Sequence, residues 1–410
     1  MSSSVEIVAA CGSAAQRAAP SLAAASQASI TTALEGMALR LSSDRSALLA
    51  ENARDVAAAE QRGMTGALLD RLRLSADRLD DMAKQLRELA AAPVPPRDVL
   101  LEDRPDGLRL VERRRPVGVI GANFEARPNV TVDVASQLVK SRNAGVLRTG
   151  SAAMRSAVAL RRAVIAPALA AAGLDPEAMQ LVDDPSREAA VALVGQPGLI
   201  PLVILRGSGE TTRTLAAEAA RHGVRTLAHA DGGGVLYVDA DAELRLAEEL
   251  VEDSVDRLGV CNRLNLLLVD TRCYDEYVPK LTAMLERMAI RVSAPPHAHP
   301  LGHEWALDAG REATVTLASA GGPADAAAIA NRETSGLAAT IVTTNPSAAQ
   351  EFIDAYAGTG AFWNASTRLL DGYKLRRVPE TGINVDHVPG PRGPVTFQDL
   401  YLRQYVVVPR

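Results

Sequence analysis

From Val117 onward the chain repeats one pattern, a short apolar run followed by a polar turn and an amphipathic stretch, and this alternation constrains the fold more than any other feature. The runs lie at Val117 to Gly121, Ala144 to Leu147, Leu199 to Leu205, Val235 to Val238, Leu264 to Val269 and Ala339 to Thr343. Strands and helices alternating at this spacing predict mostly parallel sheets covered by helices on both faces, an α/β fold. In such sheets ligands collect at the carboxyl ends of the strands, where the polar clusters of this sequence are expected.

Ahead of this region, residues from about Ser21 to Ala92 are rich in Ala, Leu, Arg and acids, with apolar positions such as Leu34, Met37, Ala38 and Leu41 at helical spacing. Pro93, Pro95 and Pro96 end that helical layer, and Val99 to Val117 reads as a strand pair turning at Pro105-Asp106-Gly107. Tyr401 to Pro409 reads as a final strand and a partner for the hairpin. A chain of 410 residues divides into two or three domains. A net charge of −5 and 3% aromatic residues argue against a nucleic-acid surface. No apolar run is long enough to cross a bilayer. Three cysteines without a CxxC pair fit a reducing compartment, with the cytoplasm the expected location. Cys11, in the Ala/Ser-rich opening segment, has no basic start before it of the kind an export signal needs, and is read as incidental.

Cys261 lies in Gly259-Val260-Cys261-Asn262-Arg263, a polar turn feeding the apolar run from Leu264. A thiol so placed can meet a substrate in a cleft; the alternative is a free cysteine acting as a small hydrophobe. Three further clusters look suited to anions. Asn123, Arg127 and Asn129 follow the first run, where Pro128-Asn129-Val130-Thr131 offers a helix start with free backbone N–H groups. Arg148 and the Gly150-Ser151 turn follow the second run, and Arg206-Gly207-Ser208-Gly209 follows the third. None is a Walker loop or a GxGxxG fingerprint, yet together they suggest a nucleotide groove. Asn364, Ser366, Thr367 and Arg368 in one turn could hold an anionic substrate, or form a polar loop capped by a buried Trp363. His297, His299 and His303 lack a carboxylate or helical register, so no metal is expected there. Asp231-Gly232-Gly233-Gly234 reads as a flexible turn.

In this order, Glu125-Ala126-Arg127-Pro128-Asn129-Val130-Thr131-Val132-Asp133, Val260-Cys261-Asn262, Asn364-Ala365-Ser366-Thr367-Arg368, Gly382-Ile383 and Arg392-Gly393-Pro394 resemble the gamma-glutamyl phosphate reductases over nearly the whole chain. These are the glutamate-5-semialdehyde dehydrogenases of proline biosynthesis, a branch of the aldehyde dehydrogenase superfamily. The resemblance implies a Rossmann-like nucleotide-binding domain over residues 1–102 and 118–229, an α/β catalytic domain over 230–383, with a return of its C-terminal part to the nucleotide domain left open, and a small β oligomerisation flap over 103–117 and 384–410. It implies NADPH-dependent reduction of an acyl phosphate to an aldehyde through a thioester on Cys261, with L-glutamyl 5-phosphate the first candidate substrate. Asn123 and the Cys261 N–H would face the oxyanion. Arg148, Ser151, Gly207, Ser208 and Glu380 would contact the cofactor, while Arg127, Asn129, Asn262, Asn364, Ser366, Thr367 and Arg368 would contact substrate. A homodimer or homotetramer is implied, and the kinase that makes the acyl phosphate is a candidate partner.

Departures from the family accompany the matches. Asn123 stands where the family is usually apolar, and Ala228 replaces a glutamate. Arg206-Gly207-Ser208-Gly209-Glu210 stands for the usual Arg-Gly-Gly-Lys-Gly, and Ser335-Gly336-Leu337-Ala338-Ala339 for Ser-Gly-His-Thr-Asp. These changes keep open a different acyl or aldehyde substrate in specialised metabolism, or a catalytically weak homologue with a binding role.

Overall fold

The continuous apolar runs become strands buried along their whole length. The computed structural model describes residues 3–207, 209–229, 232–308, 310–385 and 390–410. Two strands precede the main sheets: β1 (Asp98–Asp103) and β2 (Leu108–Pro116), paired antiparallel. Gly107, at φ +82, makes the turn between them, a conformation that glycine adopts without steric cost.

The first main sheet contains β3 (Val119–Phe124), β4 (Ala144–Thr149), β5 (Met179–Leu181), β6 (Leu202–Arg206) and β7 (Arg225–His229). Its order is β5-β4-β3-β6-β7 and every neighbouring pair is parallel. The second contains β8 (Gly234–Val238), β9 (Leu264–Asp270), β10 (Arg291–Ser293), β11 (Thr314–Ala320), β12 (Ala338–Val342) and β13 (Gly360–Trp363), ordered β10-β11-β9-β8-β12-β13 and again wholly parallel. A short pair, β14 (Gly382–Asn384) and β15 (Gly393–Val395), follows. β16 (Tyr401–Pro409) then pairs antiparallel with β2 from Tyr401↔Pro116 to Pro409↔Leu108. The hairpin and its C-terminal partner thus form as the sequence indicates.

The chain divides into two compact units. One comprises Met1–His229, Arg377–Ile383 and Val395–Arg410, the other Ala230–Arg376 and Asn384–Pro394. Residues 384–410, taken from sequence as one part of the flap, are therefore split between the units.

In the first unit the helix Asn129–Lys140 is buried along its length, with Asn129 and Asp133 half-buried. It approaches β4 so closely that a Cβ on Gly145 would lie 2.6 Å from Leu138 Cδ1. Burial of one such leucine contributes roughly 2 kcal/mol, so the bare glycine face of β4 stabilises the layer by permitting the contact. The helical layer begins earlier than the sequence reading placed it, at Ser4–Ala23. Ser3 accepts from the Glu6 N–H while Glu6 accepts from the Ser3 N–H, a reciprocal capping box whose Ser-x-x-Glu spacing was available in the sequence. Strands β5, β7, β10, β11 and β13 were also missed. β11 is diluted by Thr and Ser, whose hydroxyls weaken an apolar pattern although the β-branched Thr suits a strand.

Candidate active site

In the first unit the chain leaves β3 for β4 and β5 on one side, then returns to β6 and β7 on the other, so the carboxyl ends of β3 and β6 flank a topological switch point. Phe124 and Arg206 are register partners at that end. A Cβ on Gly207 would lie 3.1 Å from Glu125 Oε1, so glycine keeps the two loops close. The helix Gly209–Arg221 starts immediately beyond, presenting its first backbone N–H groups. Ser208 lies outside the described residues.

The expected donors take distinct positions here. Asn129 donates from Nδ2 to Asp133 Oδ2 at 2.8 Å. Burial pushes the Asp133 carboxyl up to about 6, against the charges of Arg206 and Arg127 and the Asn129 hydrogen bond. Arg206 passes alongside Gly382, where a Cβ would lie 3.4 Å from its Cδ. Ser151 is exposed at the start of a 3₁₀ turn. Glu380 is half-buried in the segment that rejoins this unit, which Gln137 holds by donating to the Pro379 carbonyl at 2.8 Å.

Arg148 does not take the ribose-facing position expected of it. The side chain is 6% exposed, donating to Asn123 Oδ1 at 3.0 Å and the Ser186 carbonyl at 2.7 Å, with the Pro185 carbonyl a further acceptor. Asn123 and Arg148 are partners on adjacent strands, which directs both to one side of the sheet. Asn123 is itself 2% exposed. Its amide oxygen serves the guanidinium, and burial depresses the Arg148 pKa although Asp184 and Glu125 oppose the shift.

In the second unit Cys261 precedes β9, at the amino end of the sheet rather than the carboxyl end. Two glycines before β8 make this placement possible. A Cβ on Gly232 would stand 2.9 Å from Cys261 Cα, 2.8 Å from the Cys261 carbonyl oxygen and 2.8 Å from Glu304 Oε1. Gly232 N–H donates to Glu304 Oε2 at 3.1 Å, and Gly233 N–H to the Cys261 carbonyl at 2.7 Å. Of the turn the sequence suggested, Asp231 lies outside the described residues, while Gly232 and Gly233 clamp the cysteine backbone. Glu304, which sequence reasoning did not single out, belongs to this clamp. It follows a His/Pro-rich loop with no motif of its own, and only the fold brings it to Gly232.

Asn262 donates Nδ2 to the Leu370 carbonyl at 3.0 Å and the Arg368 carbonyl at 3.3 Å. Thr367 Oγ1 donates to the Asn262 carbonyl at 2.7 Å, and Arg368 holds the Asn262 amide oxygen while pairing with Asp256 at 2.6 Å. Ser366 shares a hydroxyl contact with Ser254 at 2.9 Å and caps the Arg368 N–H. The polar groups of Asn262, Ser366, Thr367 and Arg368 are thus engaged within the protein, and they brace the turn that carries Cys261.

Asn364 does not join them. It follows β13 at the carboxyl end of the same sheet, with φ +51, and its amide binds the backbone of Thr343 on both sides at 3.0 Å. Three extended residues, at about 3.3 Å each, carry the chain roughly 10 Å from Asn364 back to Thr367. The left-handed turn at Asn364 sends the chain back so that Thr367 and Arg368 reach Asn262. Trp363 is 44% exposed rather than buried, and donates Nε1 to the Thr343 carbonyl. His299 packs between His297 and His303 at centroid distances of 5.2 and 5.5 Å, with Trp305 edge-on at 4.7 Å.

A parallel sheet with a switch-point crevice and a second parallel sheet entered from a braced cysteine turn are an arrangement suited to a dinucleotide-dependent oxidoreductase. The model of the aldehyde dehydrogenase family matches residues 2–300, and the chain belongs to that family. The gamma-glutamyl phosphate reductase of Moorella thermoacetica is 36% identical over 395 residues, 93% of each chain. The crystal structure of gamma-glutamyl phosphate reductase from Thermotoga maritima superposes with a TM-score of 0.88 at 26% identity, covering 98% of each chain. An acetylating aldehyde dehydrogenase from Geobacillus thermoglucosidasius shares the fold at a TM-score of 0.74 and 15% identity, over 99% of this chain and 97% of that one. The protein is an aldehyde dehydrogenase-type oxidoreductase, and membership implies a nicotinamide cofactor. The switch-point crevice fits such a cofactor in its donor set: a glycine turn and a helix start after β6, and the Ser151 hydroxyl after β4.

Proposed function

We propose that this protein reduces L-glutamyl 5-phosphate to L-glutamate 5-semialdehyde, in the cytoplasm, as a step of proline biosynthesis. The observation that carries the reading is the clamp on Cys261, in a chain 36% identical to a gamma-glutamyl phosphate reductase. The Cys261 sulfur attacks the acyl carbon, a carbon–sulfur bond forms, the carbon–oxygen bond to phosphate breaks, and phosphate leaves. During attack the carbonyl oxygen gains charge, and the Cys261 backbone N–H is the donor at hand to receive it. Asn262, Thr367 and Arg368 act as positioning residues, because their hydrogen bonds fix the turn rather than reach outward. Acyl transfer from phosphate needs no activated water, so Ala228 at the end of β7 costs this chemistry nothing. When bound, the nicotinamide supplies the hydride that takes the acyl group to the aldehyde. NADPH is the proposed form. The turn after β4 carries Ser151 and Arg155 and no acid through Arg155, whereas a site for NADH places an acid there for the ribose hydroxyl.

A second reading, a different activated acid or aldehyde, is favoured by Leu337, fully buried before β12 where the family resemblance leads one to expect a histidine. Steady-state rates with glutamate semialdehyde, phosphate and NADP, run beside a panel of other aldehydes, separate the two. Turnover of another aldehyde with none of the semialdehyde would remove the proline assignment. Cys261→Ser is expected to lower kcat by about three orders of magnitude.

A further inference from the structure

At the amino end of the first unit's sheet, where β2 leads into β3 and the helix Asn129–Lys140 leads into β4, lies a cavity of about 310 Å³. Arg97, Arg114, Arg115, Lys140 and Arg142 line it, and no acidic residue is among its lining. The switch-point crevice lies at the other end of the strands, roughly 20 Å away by the rise of a six-residue strand. The cavity therefore belongs to neither the cofactor crevice nor the Cys261 turn.

Several of these cations are held at a cost. Lys140 is 1% exposed, and its one hydrogen bond is donated to the Ala90 carbonyl at 3.0 Å, with the Phe397 ring 5.6 Å away. Burial pushes its ammonium down to about 8. Arg114 stacks over Tyr401 at 4.7 Å, leaving a buried Nε with no partner. Arg142 occupies the position after the helix where the chain turns left-handed, at φ +62. The Asn143 N–H reaches back to Leu138 and the Arg142 N–H to Val139, the closing bonds of a helix end that ordinarily ends on glycine. An arginine at that position accepts backbone strain. Burial and the nearby charge of Arg97 both depress its pKa. The negative end of the helix dipole favours Lys140, in the last turn of the helix, and Arg142 just beyond it.

We propose that this cavity is a binding site for a small multiply charged anion, of the phosphate-ester or dicarboxylate class. Guanidinium groups suit both, since each presents paired oxygens that a planar fork can grip. The apolar wall formed by Val94, Pro95, Phe397 and Leu400 leaves room for a short carbon body beside the charge.

The test is calorimetric titration of the full-length protein with pyrophosphate and with malonate, first without NADP and then in saturating NADP so that the switch-point crevice is filled. The expected result is one anion per chain, weakening as salt rises, and the tighter of the two probes identifies the class. Arg142→Gly relieves the left-handed strain, so it is expected to hold or raise the melting temperature while weakening the anion by about tenfold or more. Arg97→Ala is expected to weaken binding similarly. Both variants are expected to keep the wild-type reductase kcat/KM within about twofold. Absence of binding to the wild type, binding unchanged in both variants, or binding abolished by NADP would each overturn the proposal.

Discussion

Gly232→Ala isolates the contribution of the clamp, because Gly232 is not among the positive-φ residues and only the added methyl acts. That methyl would stand 2.9 Å from Cys261 Cα and 2.8 Å from both the Cys261 carbonyl oxygen and Glu304 Oε1, where ordinary contact begins at 3.4 Å. Glu304 is a flexible side chain and can withdraw. The Cys261 backbone cannot do so without moving the sulfur. Relief needs a shift of about 0.5 Å, the difference between 3.4 and 2.9 Å. A misplacement of 1 Å costs about a hundredfold in rate, so half of that predicts a loss of about tenfold in kcat. Overpacking should also lower stability by about 1–3 kcal/mol. The assay is NADP-dependent oxidation of the semialdehyde in the presence of phosphate, followed by near-ultraviolet absorbance, beside a thermal melt. Gly198→Ala is the control, since its Cβ would meet nothing within 4 Å. A Gly232→Ala protein with wild-type kcat would refute the claim that these glycines set the position of the thiol.

Two further substitutions probe the site. Glu304→Ala removes the acceptor of the Gly232 N–H and is expected to lower kcat by about tenfold, since a hydrogen bond to a charged acceptor contributes about 1.5–3 kcal/mol. Glu304→Gln keeps an acceptor oxygen and should restore most of that loss; equal damage from both variants would mean that the charge itself matters. For Asp133 the folded value of about 6 lies above the unfolded value near ~3.9. Between those values the unfolded chain gives up its proton first, so this group's contribution to stability falls as pH rises from about 4 to about 6 and is level above. Asp133→Asn should therefore gain on the wild type across that window in urea midpoints, and a difference that stays constant with pH would contradict the burial of the carboxyl.

The parallel α/β class was legible because β3, β4, β8, β9 and β12 are buried on both faces and so must be apolar throughout. The hairpin was legible from Gly107 and the proline cluster before it, which mark turns by backbone geometry alone. β11 and the first helix were less visible, the former for its hydroxyls and the latter because alanine suits helix and surface equally. Cys261 was visible through the polar turn around it and through the linked motifs.

Register and direction were another matter. Nothing local distinguishes Asn364, at the carboxyl end of a sheet, from Thr367 three residues later, whose hydroxyl reaches the Cys261 turn at the other end. A single left-handed residue decides it, and the decision shows only when the strands are laid side by side. Arg148 was read as a nucleotide contact because it stands at the carboxyl end of a strand; it turns inward because Asn123 on the next strand and the carbonyls of 185 and 186 supply its acceptors. The sequence by itself determined which segments must be buried and which residues carry chemistry, since those are properties of side chains in order. Only the tertiary structure decided which of them meet, because hydrogen bonds and close contacts such as Gly232 on Cys261 join residues that are remote along the chain.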